Sequence, residues 1–486
     1  MSTESCLTCG HSSGPSKPFP TFTGICPSYP DNIEALLKSN SSPSPPDELQ
    51  IKRLCADIAN EIKNLNTEIA DTEAKLTALR QQLANKKREA SDYKAILSPV
   101  RRLPSDLLSE ILMLSTNHEL DSDTSSLDPT EMHWLLPRVC AHWRCVALSF
   151  PRMWSTIRIT SRELAHDASG ALFRLGVQLH RSGSFPLFVS ISSYYNTIPY
   201  APPILQMLLP SSPRWKELYV CLQPEAFSIL SPLHMFLPSL TSLRIWTYPI
   251  PVDGLEMDSV LSRAFTVCPS LQDLEGAPDI LFTSCALPWN QISRYCCIKP
   301  HQLSWYLKLL PLLSNLRECF ISCDDQLPLD GSHVMVELRD LEYFLVAYVA
   351  EHPRPILDHF NFPCLRSLTV ILSDEVNSDY VNSLIRFLER SGGSLVTLAL
   401  SLSTLSVADY LRILEVLPTL KSLFLRCEKD DIDVVGLLDL IIDTPTFVPL
   451  LGSLRLDLPS NPYQHWQTAI PRLGEARPGL SLWWSR

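Results

Sequence analysis

A short motif returns through the C-terminal two thirds of this chain and limits its fold more than any other feature. A Pro or Ser precedes Leu-x-x-Leu-x-apolar in PSLTSLRIW (238–246), PCLRSLTVI (363–371), GSLVTLALS (393–401), PTLKSLFLR (418–426) and PLLGSLRLD (449–457), with weaker copies near Pro213, Pro269 and Ser314. The first anchors, Trp215, Leu240, Leu271, Leu316, Leu365, Leu395, Leu420 and Leu451, stand 25 to 49 residues apart, the spacing of a repeat architecture. Between copies, stretches such as SDYVNSLIRFLERSGG and VADYLRILEVLP place apolar residues three and four apart with Gly or Pro after the end, so they read as helices. One strand and one helix cannot bury a core alone, whereas stacked copies share a continuous one. The expected fold over 161–486 is an α/β solenoid of parallel strands plus helices, with an insertion or a degenerate copy hidden in each of the two long gaps between 271 and 365.

Strand alternation turns the second Leu and the final apolar residue of each copy into the core and the residues beside them outward, to a concave face. That places Tyr219, Arg244, Trp246, Phe320, Phe424, Arg426 and Arg455 outside as target-binding candidates, because aromatics and Arg dominate binding hot spots. The competing reading is that a tail, an insertion or a loop covers some of them. A βαβ enzyme domain is the structural rival, and it would carry a glycine-rich phosphate loop. With 15 Gly in 486 residues the chain has neither G-x-G-x-x-G nor a P-loop, and it lacks H-E-x-x-H. Its 12 His are scattered, as at His133, His142, His234 and His301. We expect no catalytic residues, no cofactor and no metal site.

The N-terminal part has a different texture. Residues 1–46 are rich in Ser, Pro, Gly and Thr without apolar periodicity and read as a disordered tail. Cys6, Cys9, His11 and Cys26 are zinc-like ligand types, but only the first pair has finger spacing and no second pair follows. From Asp47 to Leu97 neither Pro nor Gly occurs, and Ile51, Cys55, Ile58, Ile62, Leu65, Ile69, Thr72, Leu76, Leu79 and Leu83 alternate at steps of four and three. This narrow heptad seam predicts a coiled-coil helix over 47–97 that pairs with itself into a homodimer, Thr72 and Lys86 being flaws in the seam; a solvated helix folded back on the next domain would use the same stripe. A net charge of -11 argues against nucleic acid and acidic membranes as partners. No run approaches 18 apolar residues, and MSTESCLTCGHSSG lacks the two regions of a signal peptide, so a cytoplasmic or nuclear setting with reduced thiols is expected. Most of the 15 Cys sit in apolar runs, as Cys221, Cys268, Cys319 and Cys364 do, and read as small hydrophobes.

Between helix and repeats, over 98–160, comes ILSPVRRLPSDLLSEILMLS, then a polar acidic stretch with Asp121, Asp123, Asp128 and Glu131, then MHWLLPRVCAHWRCVALSFPRMWSTIRI. Leu107, Leu108, Ile111 and Leu112 line one broad helix face behind Pro104, and Leu135, Val139, Trp143 and Val146 or Ala147 form a second stripe at helical spacing. So few helical residues bury little surface alone, and part of this apolar area calls for a partner. The order of landmarks, a Leu-Pro opening an acidic and then Ile/Leu-rich helix, a later Val-Cys-x-x-Trp helix, a Pro and a closing Trp, resembles the F-box. The linker is longer than in the compact family pattern and reads as a flexible excursion. The repeats resemble leucine-rich repeat domains, and the combination resembles F-box/leucine-rich repeat proteins. This resemblance implies a small all-α F-box docking on the Skp-type adaptor, and through it a cullin, of a ubiquitin ligase complex in the Ubl conjugation pathway. It implies adaptor contacts at Leu103, Pro104, Asp106, Leu107, Leu108, Ile111, Leu112, Leu135, Val139, Cys140, Trp143 and Trp154, with the repeats binding a target protein and no chemistry done by the chain itself. The alternative is a coiled-coil and repeat scaffold without ligase docking.

Overall fold

Asp31 and Glu34 in the first turn and Lys38 in the last suit the dipole of a short helix, α1 (Asp31–Lys38). The segment falls within the stretch read from sequence as tail. Ile33 and Leu36 are half-buried there, and the Asn32 amide donates to Asp47 at 2.9 Å and to Gln50 at 3.2 Å, which ties α1 to the helix that follows. Eight residues are too few to register in the composition of a Pro/Ser-rich stretch. In α2 (Pro45–Ile96), Ser44 caps the Asp47 N–H and two prolines occupy the first turn, where no donor is needed. Its 52 residues make a rod of about 78 Å, and none of them is buried. The computed structural model describes residues 29–39, 41–116, 119–120, 122–161, 167–193, 201–223, 237–247, 265–324, 334–348, 356–375, 378–403, 405–426, 432–444, 447–457 and 471–485; Cys6, Cys9, His11 and Cys26 lie outside them. The chain divides into two compact units, residues 1–103 and 104–486.

The second unit opens with three short helices, α3 (Ser105–Leu114), α4 (Met132–Leu135) and α5 (Ala141–Leu148), and then enters a sheet. The elements follow in the order β1 (Thr156–Thr160), α6 (Ala168–Arg181), β2 (Leu187–Ser192), α7 (Ala201–Leu208), β3 (Trp215–Leu222), β4 (Ser242–Thr247), β5 (Asp273–Gly276), α8 (Pro278–Ser284), β6 (Arg294–His301), α9 (Leu303–Leu309) and β7 (Glu318–Cys323). There follow β8 (Val336–Glu337), β9 (Tyr343–Tyr348), β10 (Phe360–Asn361), β11 (Ser367–Glu375), α10 (Ser378–Ser391), β12 (Thr397–Ser403), α11 (Val407–Glu415), β13 (Ser422–Arg426), α12 (Ile432–Asp443), β14 (Ser453–Asp457) and β15 (Ser481–Ser485). Among the described residues, thirteen strands form one parallel sheet in the order β1-β2-β3-β4-β5-β6-β7-β9-β11-β12-β13-β14-β15, with β8 and β10 pairing apart. A long helix followed by a parallel sheet whose strands come in sequence order, with helices between them, is a solenoid-like α/β arrangement.

The repeated motif sits one copy to a strand, and the in-register pairing makes every copy's second Leu stack on the next. One inward rung runs Leu218, Leu243, Leu274, Tyr295, Cys319, Phe344, Leu368, Leu398, Leu423, Leu454 and Leu482. The residues two further on form a second rung, in which Gly276 takes the place beside Ile245 because a Cβ there would lie 2.5 Å from the Ile245 carbonyl oxygen. Helix side chains such as Leu175, Leu281, Tyr306, Leu384, Phe387, Ile413 and Leu438 close this core. Both long gaps in the motif hold degenerate copies: β6, where RYCCIKPH keeps Tyr295 and Cys297 inward, and β9, where Phe344 and Val346 do the same. Cys221, Cys268 and Cys319 are buried as expected, but Cys364 is exposed, since it lies in the turn before β11.

The acidic linker is not a loose excursion where it is described. Leu120 and Leu127 enter the solenoid core, and Ser125 and Ser126 bond to the outer edge of β1: the Ser126 N–H donates to the Arg158 carbonyl at 3.0 Å, and the Arg158 N–H donates back to the Ser126 hydroxyl at 2.9 Å. Gln178 of α6 completes the cap, its amide donating to the Thr156 carbonyl at 2.7 Å. An unpaired edge strand is thereby covered by side chains. The span assigned from sequence to the helical module, 98–160, includes β1, a strand of the sheet.

Candidate functional site

Two surfaces carry the residues singled out from sequence. The first is the helical module. Leu108, Leu112, Val146, Ala147, Met153 and Trp154 form its interior, with Trp134, Leu136, Trp143 and Phe150 packed against it. Pro104 stands just before the first helical residue, and its carbonyl accepts the Leu108 N–H at 3.0 Å. The second stripe is not one helix, because Pro137 bends the chain through a 3-10 turn and Cys140 is extended; its thiol accepts the Trp143 N–H at 3.5 Å and starts α5. The Trp154 indole donates to the Ala147 carbonyl at 2.8 Å, and the Arg181 guanidinium lies 4.4 Å from its ring centre, so α6 of the solenoid holds the module.

The twelve residues expected to meet an adaptor therefore divide. Leu108, Leu112 and Trp154 are fully buried and Trp143 partly so; these shape the module rather than face outward. Pro104, Asp106, Leu107, Ile111, Leu135, Val139 and Cys140 are exposed, Leu107 by 55% and Val139 by 60%, and Leu103 is half-buried at the end of the N-terminal unit. Leu107, Ile111 and the exposed Leu114 fall at helical spacing along the outer side of α3. What these exposed side chains offer is uncovered apolar area on a well-packed base.

The second surface is the sheet face opposite the inward rungs. Pairing puts Tyr219, Arg244, Glu275, Cys296, Phe320, Leu345, Thr369, Ala399, Phe424, Arg455 and Trp483 in one cross-strand row. Trp246 lies two residues beyond Arg244, and Arg426 two beyond Phe424, so all seven candidates share this face. The expected register is correct, yet two of the seven are not open: Tyr219 is only 6% exposed and Trp246 4%. Trp246 is held by neighbours that the motif does not report, its indole donating to Glu275 at 3.1 Å and the Lys299 ammonium lying 4.8 Å from its ring. The others interact across strands. Arg244 reaches Glu275 at 3.6 Å, Arg426 reaches Asp457 at 3.8 Å, and the Arg294 and Arg455 guanidiniums sit over Phe320 and Phe424 at 5.5 and 5.1 Å. Glu275, Cys296 and Asp457 escaped sequence reasoning because the β5 and β6 copies are degenerate and acidic residues were not sought on a face read for aromatics and Arg.

One titratable group off both surfaces is notable. His301, at the end of β6, is buried with its Nδ1 3.8 Å from Asp279, and burial depresses its pKa below the usual 6.5 although Asp279 and Asp324 pull the other way and Lys299 adds to the depression. Among the described residues no group of His, Cys, Asp and Glu is placed to hold a metal, and no helix is long and apolar enough to cross a membrane. No family model matches the chain, and no curated protein matches it. Among solved structures it is similar to a Bacteroides fragilis protein, at 12% identity and a TM-score of 0.29 over 66% of this chain and 83% of that one, a likeness too slight to argue from.

Proposed function

We propose that this chain is a substrate-recognition adaptor of a Skp, cullin and F-box type ubiquitin ligase, the helical module docking on the Skp-type adaptor and the sheet face holding a target protein. On this reading the chain is a non-catalytic subunit. The observation that carries it is the division within the module: of the landmark residues that resemble an F-box, Leu108, Leu112 and Trp154 are sealed in its interior, while Leu107, Ile111, Leu135 and Val139 are apolar side chains left exposed. A helical cap serving only its own solenoid would keep such residues covered. The leucine-rich repeat resemblance and the Arg-rich, aromatic outer row support the target-binding half.

The test replaces exposed landmarks only. Leu107→Ala with Ile111→Ala and Val139→Ala removes no buried side chain, so the melting temperature should hold while capture of the Skp-type adaptor is lost, each desolvated anchor being worth about 2 kcal/mol. Undiminished capture refutes the docking reading. Failure of the wild-type chain to capture adaptor and cullin at all favours the scaffold alternative.

A further inference from the structure

The seam of α2 is an uncovered apolar stripe that a second copy of this chain would bury. From Ile58 to Leu83 its apolar residues are uncovered, each between 46% and 61% exposed, and the midpoint of that stretch falls between Ala70 and Asp71. We infer that two copies pair through α2 as an antiparallel coiled coil centred there. The inference is independent of ligase docking.

Both orientations bury the seam, so flanking charges decide. In parallel register the residue before each first seam position meets the residue five further along the second copy. That sets Glu68 against Glu73 and Lys75 against Arg80, twice each by symmetry, and stacks Lys86 on Lys86 within the seam. In antiparallel register, Ile58 packs on Leu83 and Leu65 on Leu76 of the second copy, Glu68 lies beside Lys75 twice, and Lys86 meets Cys55. Charges beyond the apolar stretch argue the other way but are already engaged. Antiparallel pairing brings Lys52 near Lys87, and Lys52 is bridged to Glu48 at 2.7 Å. Parallel pairing would add Asp47 to Lys52 and Glu89 to Lys94, but Asp47 already accepts from Ser44 and Asn32, and Glu89 from Lys86 at 2.7 Å.

The test uses the full chain. Antiparallel pairing predicts that Glu68→Lys weakens the dimer about tenfold by sedimentation, since two attractions become repulsions, and that adding Lys75→Glu restores it. Parallel pairing predicts the opposite sign, because the introduced lysine would then lie beside Glu73. Orientation is read separately with a short bis-maleimide and peptide mapping, which distinguishes the thiols of α2 from Cys140, Cys145 and Cys364. Lys86→Cys should give an adduct joining Cys55 to the introduced thiol, and the native chain no Cys55 to Cys55 adduct. A tighter or unchanged dimer in Glu68→Lys, a Cys55 to Cys55 adduct, or a monomeric native chain overturns the proposal.

Discussion

Arg158 shows what a single position does here. Its side chain is 1% exposed at the sheet's edge strand, donating from Nε to the Thr124 carbonyl at 2.9 Å and reaching Glu131 at 3.4 Å. Burial lowers its pKa against the pull of Glu131 and Glu119, so its charge is carried at a cost that the linker offsets. Arg158→Ala should leave Glu131 uncompensated and cost about 3 kcal/mol or more, read as a shift in the denaturation midpoint. His301 makes a pH-dependent contribution. Its folded pKa lies below its unfolded value of 6.5, so the unfolded chain binds more protons in the window beneath 6.5. Stability from this residue is complete above 6.5 and falls as pH drops through it toward the folded value, and His301→Gln should flatten that slope in thermal melts at varied pH. The thiols behave as their positions dictate. Burial pushes Cys268, Cys285 and Cys297 up to about 12 and Cys296 up to about 11, so mass-mapped alkylation of native protein should label Cys55, Cys140, Cys145 and Cys364 and spare those four.

At the scale of elements, the sequence was most readable where a strand repeats its neighbour. The copies at β4, β11, β12, β13 and β14 present Leu at both inward rungs or Leu with Ile or Val, and each was placed with its register. Strands β6 and β9 were hidden because their inward positions hold Tyr, Cys, Phe and Val, which satisfy the same volume without the Leu signature. Helix α11 was legible from its apolar spacing and the Pro418 that follows it; the structure adds a reciprocal capping box of Ser406 and Asp409 at its start, and Ser406→Ala should cost about 1 kcal/mol in an unfolding titration. The surface candidates were legible as a face and not as exposure, since period-2 alternation gives direction while burial depends on distant neighbours. Trp246 is the case in point. Trp246→Ala should lower stability by about 3 kcal/mol, whereas Phe424→Ala with Arg426→Ala should change it little while weakening any target held there.

Across the whole solenoid-like unit, each strand touches only its two neighbours, so stability is close to a sum of adjacent terms. Leu454→Ala in β14 should raise hydrogen exchange in β13 to β15 and leave β1 to β4 protected, whereas Leu368→Ala in the middle should loosen both flanks.

The capped edge of β1 has a mechanical consequence. The carbonyl of Ser126 accepts from both His133 and Trp134 of the helical module, at 2.7 and 2.9 Å, while Ser126 also bonds to β1, and Arg181 reaches from α6 over Trp154. Module and sheet thus meet through a shared set of side chains instead of a tether. Anything gripped at Leu107 and Val139 and anything gripped along the Arg244 to Arg455 row would be held at a set separation, like two jaws cast in one piece, so that reach in such an assembly is chosen by geometry and not by slack.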